Sequence, residues 1–157
     1  LLLVIDLQND FVNKNTEPIL DKIKSLINSN EYENIAFTKF INSENSMFYN
    51  DLQYKGCLTE KGANIAIELA GQKVFEKTGY TSLTEQLKMY ITEKRINQIY
   101  LCGFDTEACV LKTALDMFEN EYNVFILKDY CMSGAGEEIH NSAINILKRT
   151  IGEKRVI

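Results

Sequence analysis

The chain reads as an α/β protein: a three-layer α/β/α sandwich on a central, mostly parallel sheet of five to six strands, Rossmann-like in plan. Short apolar runs alternate regularly with stripes of 3.6-residue period, and no tight-turn signal joins two runs as a hairpin. Leu1–Ile5 is apolar throughout, the pattern of a strand buried on both faces. Strands alternating with helices imply parallel pairing and helical cover on both sides of the sheet.

Each element follows in order. Leu1–Ile5 is the first strand, and Thr16 with Pro18 marks a helix start whose stripe of Ile19, Leu20, Ile23, Leu26 and Ile27 runs to about Asn28. Asn34–Thr38 is the second strand. Lys39–Cys57 has no clean period but carries Phe40, Phe48, Tyr49 and Tyr54, which reads as a long loop with aromatic walls. Thr59–Ala70 fits either a short helix or a loop. Lys73–Phe75 is the third strand, followed by a capped helix at Ser82–Lys94 with Leu83, Leu87 and Ile91 inward. Gln98–Leu101 is the fourth strand. A helix over Glu107–Glu119 turns Val110, Leu111, Ala114, Leu115 and Phe118 to one face, and Asn123–Leu127 is the fifth strand. The last helix, Gly136–Arg149, has Ile139, Ala143, Ile146 and Leu147 toward the core, and Arg155–Ile157 is a candidate terminal strand.

At 157 residues, with 45% hydrophobic and 25% charged residues, residues 1–157 form one globular domain with no room for a separate cofactor domain. The net charge of −5 and pI near 5.0 argue against nucleic acid and anionic membrane as partners, since both need a basic face. No apolar run approaches the roughly 20 residues of a membrane span. Leu1–Ile5 is too short for a signal peptide, so a cytoplasmic location is expected, with native residues expected ahead of the opening leucine. Cys57, Cys102, Cys109 and Cys131 show neither C-x-x-C pairing nor metal-ligand spacing, so reduced thiols and no metal are expected.

Ligands of such sheets bind beyond the carboxyl ends of the strands. Asp6 ends the first strand there, Lys77 lies just past the third, and Cys109 opens the helix after the fourth, with Thr106 as its N-cap. Helix N-termini and nearby cations favour a thiolate, lowering a thiol pKa from about 8.5 to roughly 3.5–7.5. The plainer readings are a turn-capping Asp6, a solvated Lys77 and a packed Cys109. Asp10 either supports the opening turn or is solvated. One sheet edge carrying acid, base and thiol favours chemistry.

Leu3-Val4-Ile5-Asp6-Leu7-Gln8-Asn9-Asp10-Phe11, Lys77, and Gly103-Phe104-Asp105-Thr106-Glu107-Ala108-Cys109-Val110 with Thr113 and Ala114 resemble the motifs of the isochorismatase-like cysteine hydrolases. That family includes nicotinamidases and N-carbamoylsarcosine amidohydrolases. The resemblance covers nearly the whole chain. It implies a catalytic triad of Asp6, Lys77 and Cys109 that cleaves the C–N bond of a small amide or carbamoyl compound through a Cys109 thioester. It also implies an oxyanion hole from the backbone N–H groups of Asp105 and Cys109, a cis peptide between Phe104 and Asp105, and a homodimer or higher homo-oligomer. Phe11, Phe40, Tyr80 and Phe104 are candidate substrate-binding residues, against the alternative that such aromatics are simple core.

The departures narrow this. The nicotinamidase pattern has an Asp-x-His metal site after the second strand, whereas Thr38–Ser46 holds no histidine. His140, the only histidine, falls in the last helix, away from the strand ends, as a core or surface residue rather than a Cys-His dyad partner. Isochorismatases proper cleave a vinyl ether and need no thiol, so Cys109 favours acyl transfer. Cys57, Cys102 and Cys131 read as structural, Cys131 in a loop. Asp105 replaces the small residue common before the family's threonine and puts the charge preference for substrate in question. The competing class is a non-catalytic small-molecule-binding or thiol redox-sensing module on the same fold.

Overall fold

The computed structural model describes residues 1–157. Five parallel strands form one sheet in the order β3-β2-β1-β4-β5: β1 (Leu2–Ile5), β2 (Ile35–Phe40), β3 (Lys73–Lys77), β4 (Ile99–Gly103) and β5 (Val124–Cys131). All four residues of β1 are fully buried, so both faces of the sheet are covered at its centre. The sheet carries the expected α/β plan. The terminal segment is no sixth strand: Glu153–Arg155 is a 3-10 turn, after which Val156 makes a single parallel bridge to Ile126.

Four longer helices follow the strands: α1 (Glu17–Ile27), α4 (Glu85–Glu93), α5 (Leu111–Glu119) and α6 (Glu137–Ile151), with two short ones, α2 (Met47–Asn50) and α3 (Glu60–Ala63), in the long connection between β2 and β3. No helix is long and apolar enough to cross a membrane. The α1 stripe buries Ile19, Ile23 and Leu26, and Thr16 is buried beside it, accepting from the Asn13 N–H and donating to the Phe11 carbonyl rather than capping. Helix α4 begins later than its sequence pattern implies. Thr84 is the cap, accepting from the Leu87 N–H, while Ser82 is fully buried and bonded to the site described below.

Two helical faces differ from expectation. In α6 the buried residues are Ala143, Ile144, Leu147 and Ile151, while Ile139 and Ile146 are exposed. Both sets have helical spacing, and the choice between them is made by the neighbours α6 packs on, chiefly α5 and the turn before it. In α5, Thr113, Ala114 and Met117 face inward and Phe118 is exposed, its ring under the Arg155 guanidinium. Cys131 is the last residue of β5 rather than part of a loop.

The strand order places a topological switch at β1: its neighbour β2 leads outward to β3, its neighbour β4 to β5. The crevice opened by that divergence lies at the carboxyl ends. Gly103 closes β4 there at φ 116, and a Cβ on it would stand 2.1 Å from the Ile5 carbonyl oxygen. Only glycine fits so close an approach.

Candidate active site

Asp6 follows β1 directly with φ 46, a left-handed conformation that aspartate tolerates better than most residues. Thr38 of β2 holds it there. The Thr38 hydroxyl donates to Asp6 Oδ1 at 2.7 Å and accepts from the Asp6 N–H at 3.2 Å. Behind Thr38, Ser82 Oγ lies 3.4 Å from the same hydroxyl, and the Ser82 N–H donates to Thr113 Oγ1 at 2.9 Å. Gln8 closes the other side: its amide donates to the carbonyls of Phe40 and Ala63 and accepts from the Phe40 N–H. These buried polar groups join β1, β2, α3 and α5 around one carboxylate.

Lys77 is the last residue of β3, two strands from Asp6. Its side chain crosses the end of β2, with Nζ 5.5 Å from the Phe40 ring centroid, and meets Asp6 Oδ2 at 2.7 Å and Cys109 Sγ at 3.3 Å. It also donates to the carbonyls of Gly79 at 2.8 Å and Tyr80 at 3.1 Å. Four acceptors thus surround three N–H bonds. The contact with Asp6 Oδ2 is a buried ion pair. Burial works against the Lys77 ammonium, but Asp6 and the Cys109 sulfur outweigh it and hold its pKa above the ordinary lysine value.

Cys109 stands in a single π-turn, Thr106–Val110, that leads into α5. Ala108 and Val110 both donate to the Asp105 carbonyl, at 3.2 and 3.1 Å. Such one-turn irregularities recur at functional sites. Thr106 is not the cap: its hydroxyl shares a 2.8 Å hydrogen bond with His140 Nδ1, and Asp105 occupies the cap position without a side-chain bond to the turn it opens. His140 is therefore tied to the cysteine turn, and burial keeps its pKa below the usual histidine value. Glu107 points to Ser133, whose Oγ donates to Oε1 at 2.7 Å, and its Oε2 is buried without a partner.

The thiol differs from the expected thiolate. Burial raises the Cys109 pKa well above the ordinary value, Asp6 raises it further, and Lys77 opposes both without prevailing. Burial and the neighbouring carboxylate thus favour the thiol form over the thiolate. The peptide between Phe104 and Asp105 is trans, as are all others; the chain is redirected at Gly103, after which Asp105 is extended at φ −83, ψ 145. The Asp105 N–H has no protein acceptor.

A cavity of about 280 Å³ opens onto Cys109. Its walls are the rings of Phe11, Phe40, Phe48, Tyr54 and Tyr80, with Leu52 at the mouth and Asp105 and Ala108 beside the sulfur. The rings support one another: Phe48 meets Phe40 and Tyr80 edge-on at 4.9 Å each, and Phe11 stacks on Tyr54 at 5.7 Å. Phe104 does not line the cavity; it is fully buried in the main core, because the residue after Gly103 turns inward where Asp105 turns out. Asp10 serves the loop rather than its own turn, accepting from the Cys57 N–H at 2.7 Å. Cys57, Cys102 and Cys131 are buried, and burial pushes the thiols of Cys57 to about 11 and Cys131 to about 12.

Residues 1–154 match the isochorismatase domain model. The chain belongs to the isochorismatase family. This family member is 34% identical to isochorismatase family protein 2A of Dictyostelium discoideum over 76 residues, which are 47% of the chain and 38% of that protein. The match thus spans about two fifths of that relative's length. Among solved structures, an isochorismatase-like hydrolase from Alkaliphilus metalliredigens superposes with a TM-score of 0.83 at 24% identity, covering 99% of this chain and 92% of that one. The pyrazinamidase/nicotinamidase of Streptococcus mutans gives 0.83 at 22% identity, covering 99% and 98%. At such identities the likeness is one of fold.

The Asp-x-His pair of the nicotinamidase pattern has no counterpart in the Thr38–Ser46 segment of this isochorismatase-family chain, which holds no histidine. Asn42 in the corresponding segment has its amide fully engaged, donating to the carbonyls of Tyr54 and Gly56 and accepting from Ser43 and Ser46. No three His, Cys, Asp or Glu side chains converge as a ligand set. Thr38, Ser82 and Gln8 are the site residues that the sequence did not single out. Threonine is an ordinary strand residue and serine an ordinary helix-start residue, so neither type signalled a role.

Proposed function

We propose that this chain is a cysteine amidohydrolase that cleaves the C–N bond of a small carboxamide or carbamoyl compound and releases ammonia or an amine. The observation that carries this reading is the contact of Lys77 with both Asp6 and Cys109, the latter opening onto an aromatic cavity. A neutral thiol is a poor nucleophile, and here burial makes it poorer, so a base beside it is required. Asp6 takes the thiol proton as sulfur attacks the carbonyl carbon. Lys77 balances the charge that develops on sulfur and keeps Asp6 in place.

Attack forms the C–S bond and moves the carbonyl π pair onto oxygen. The backbone N–H groups of Asp105 and Cys109 are the donors proposed for that oxyanion, and the unpaired Asp105 N–H supports this. Collapse breaks the C–N bond as Asp6 returns its proton to the leaving nitrogen, which leaves a Cys109 thioester. Water then gives a proton to Asp6 and its oxygen to the acyl carbon, and the acid departs as the thiol is restored. The net reaction adds one water across the amide.

The redox-sensor reading is disfavoured by the buried, high-pKa thiol, since sensor cysteines are exposed and thiolate-rich. The test is ammonia release from a panel of small amides. Wild type is expected to turn over at least one member and to show an acyl adduct on Cys109 by mass spectrometry, with Cys109→Ala slower by about 1,000-fold or more. Turnover by Cys109→Ala at the wild-type rate would remove the proposal.

A further inference from the structure

Asp105 is the one charged residue in a cavity wall otherwise made of five aromatic rings, Leu52, Ala108 and Cys109. Its Oδ1 accepts from the Gly134 N–H at 2.7 Å, and no protein donor reaches Oδ2. A Cβ at Gly134 would lie 3.2 Å from Oδ1, so the glycine allows the carboxylate and the loop after β5 to meet. Lys77, the cation at this end of the sheet, is already held by Asp6, Cys109 and two carbonyls, and does not neutralise Asp105. A carboxylate in an aromatic cavity wall, with one oxygen that takes no protein hydrogen bond, is suited to receive a cation, because aromatic faces are themselves negative.

We propose that Asp105 is a specificity-determining residue that selects substrates carrying a cationic nitrogen in addition to the scissile carbonyl. The cavity of about 280 Å³ holds one ring or a short chain with such a group. A substrate ammonium donates to Oδ2 while its carbon skeleton packs on Phe11, Tyr54 and Phe48. A substrate carboxylate in the same place meets Asp105 at close range and is excluded. The net charge of −5 favours approach of the same ligand class.

The ionisation state of Asp105 fits this use. Burial pushes its carboxyl up to about 6; the Gly134 N–H pulls the other way, and Glu107 in its own turn and Asp6 at the end of β1 add to the rise. Tyr54, another wall residue, feels the same charge, its hydroxyl being held neutral by burial, by Cys57 and Asp10, and by Asp105. Selection is therefore a property of neutral and higher pH.

This selectivity rests on the cavity being the substrate site of the proposed amidohydrolase, and binding is measured apart from turnover so that the two fail separately. Calorimetry on the whole chain uses benzylammonium, benzyl alcohol and benzoate as probes. At pH 8 benzylammonium is expected to bind about tenfold tighter than benzyl alcohol, with benzoate weakest. At pH 5 the advantage of the cation falls to a fewfold. Asp105→Asn, which keeps the Gly134 bond, brings benzylammonium down to benzyl alcohol at both pH values, whereas Glu107→Gln leaves the preference intact. Equal binding of cation and alcohol by wild type, no binding of any probe, or a preference that survives Asp105→Asn overturns the proposal. Absence of ammonia release with the binding pattern intact removes the amidohydrolase reading and leaves the selectivity standing.

Discussion

The hydroxyl of Thr38 fixes Asp6 twice, through Oδ1 at 2.7 Å and through its backbone N–H at 3.2 Å. Thr38→Val keeps the shape and removes both bonds, leaving a buried N–H unpaired and a carboxylate oxygen short of a donor. We expect a loss of about 2–3 kcal/mol in urea unfolding. Turnover should fall through kcat more than through KM, with Thr38→Ser recovering most of both. An unchanged unfolding midpoint in the valine variant contradicts this account of Asp6.

Lys77→Met tests the buried ion pair. The methionine fills the space but leaves Asp6, fully buried, without its counter-charge. Removing one partner of a buried pair typically costs about 3–5 kcal/mol. Urea unfolding at neutral pH measures it, and a cost under about 1 kcal/mol, the range of surface pairs, would mean that the contact is no buried ion pair.

Asp6→Asn should separate thiol reactivity from catalysis. Burial and Asp6 raise the Cys109 pKa and Lys77 lowers it, so neutralising Asp6 leaves burial alone opposing Lys77. The folded variant is expected to be alkylated at Cys109 faster than wild type at pH 7, read by site-resolved mass spectrometry, while amide turnover is lost. Slower alkylation in the variant would reverse the assigned roles of the two charges.

Much of this architecture was written in local pattern. Leu2–Ile5 and Ile99–Gly103 are apolar runs too short for helices, and their ends carry Asp6 and the glycine before the cysteine turn. Asp6, Lys77 and Cys109 could be found because each lies at or just past a strand end. The helix faces were less legible: Ile139 and Ile146 share helical spacing with Ala143 as Ile144 and Ile151 do with Leu147, and only the packed neighbours decide between them. Nor does any periodicity distinguish the π-turn at Thr106–Val110 from ordinary helix. The helix-terminus rule assumes solvent, whereas Cys109 is buried beside an anion, and both features push its pKa up.

Gly103→Ala places a methyl group 2.1 Å from the Ile5 carbonyl oxygen at a backbone conformation alanine avoids. Strain of this kind costs about 1–3 kcal/mol, and the clash adds to it. We expect at least about 3 kcal/mol by denaturant unfolding, with β1 and β4 losing hydrogen-exchange protection at their carboxyl ends first. A variant of wild-type stability is incompatible with the close approach described.

Asp105 should destabilise the protein in a pH-dependent way. Its folded pKa, about 6, lies above the ordinary value of 3.8, so folding favours the protonated form. The cost is absent below the unfolded value, grows as pH rises between the two, and is complete above the folded one. Asp105→Asn should therefore be more stable than wild type by about 3 kcal/mol at pH 8 and nearly indistinguishable at pH 3.5. Urea midpoints at the two pH values decide it; equal midpoints at pH 8 contradict the raised pKa.

The two carbonyls that Lys77 holds, those of Gly79 and Tyr80, belong to the segment that forms one lip of the cavity. That lip is anchored to the ammonium on which the acid and the sulfur both depend. It cannot swing aside to admit a ligand without unmaking the charge arrangement beneath it. Leu52 also lines the cavity, is exposed and is tied to none of Asp6, Lys77 and Cys109, so a ligand passing beside it leaves the contacts of the ammonium intact.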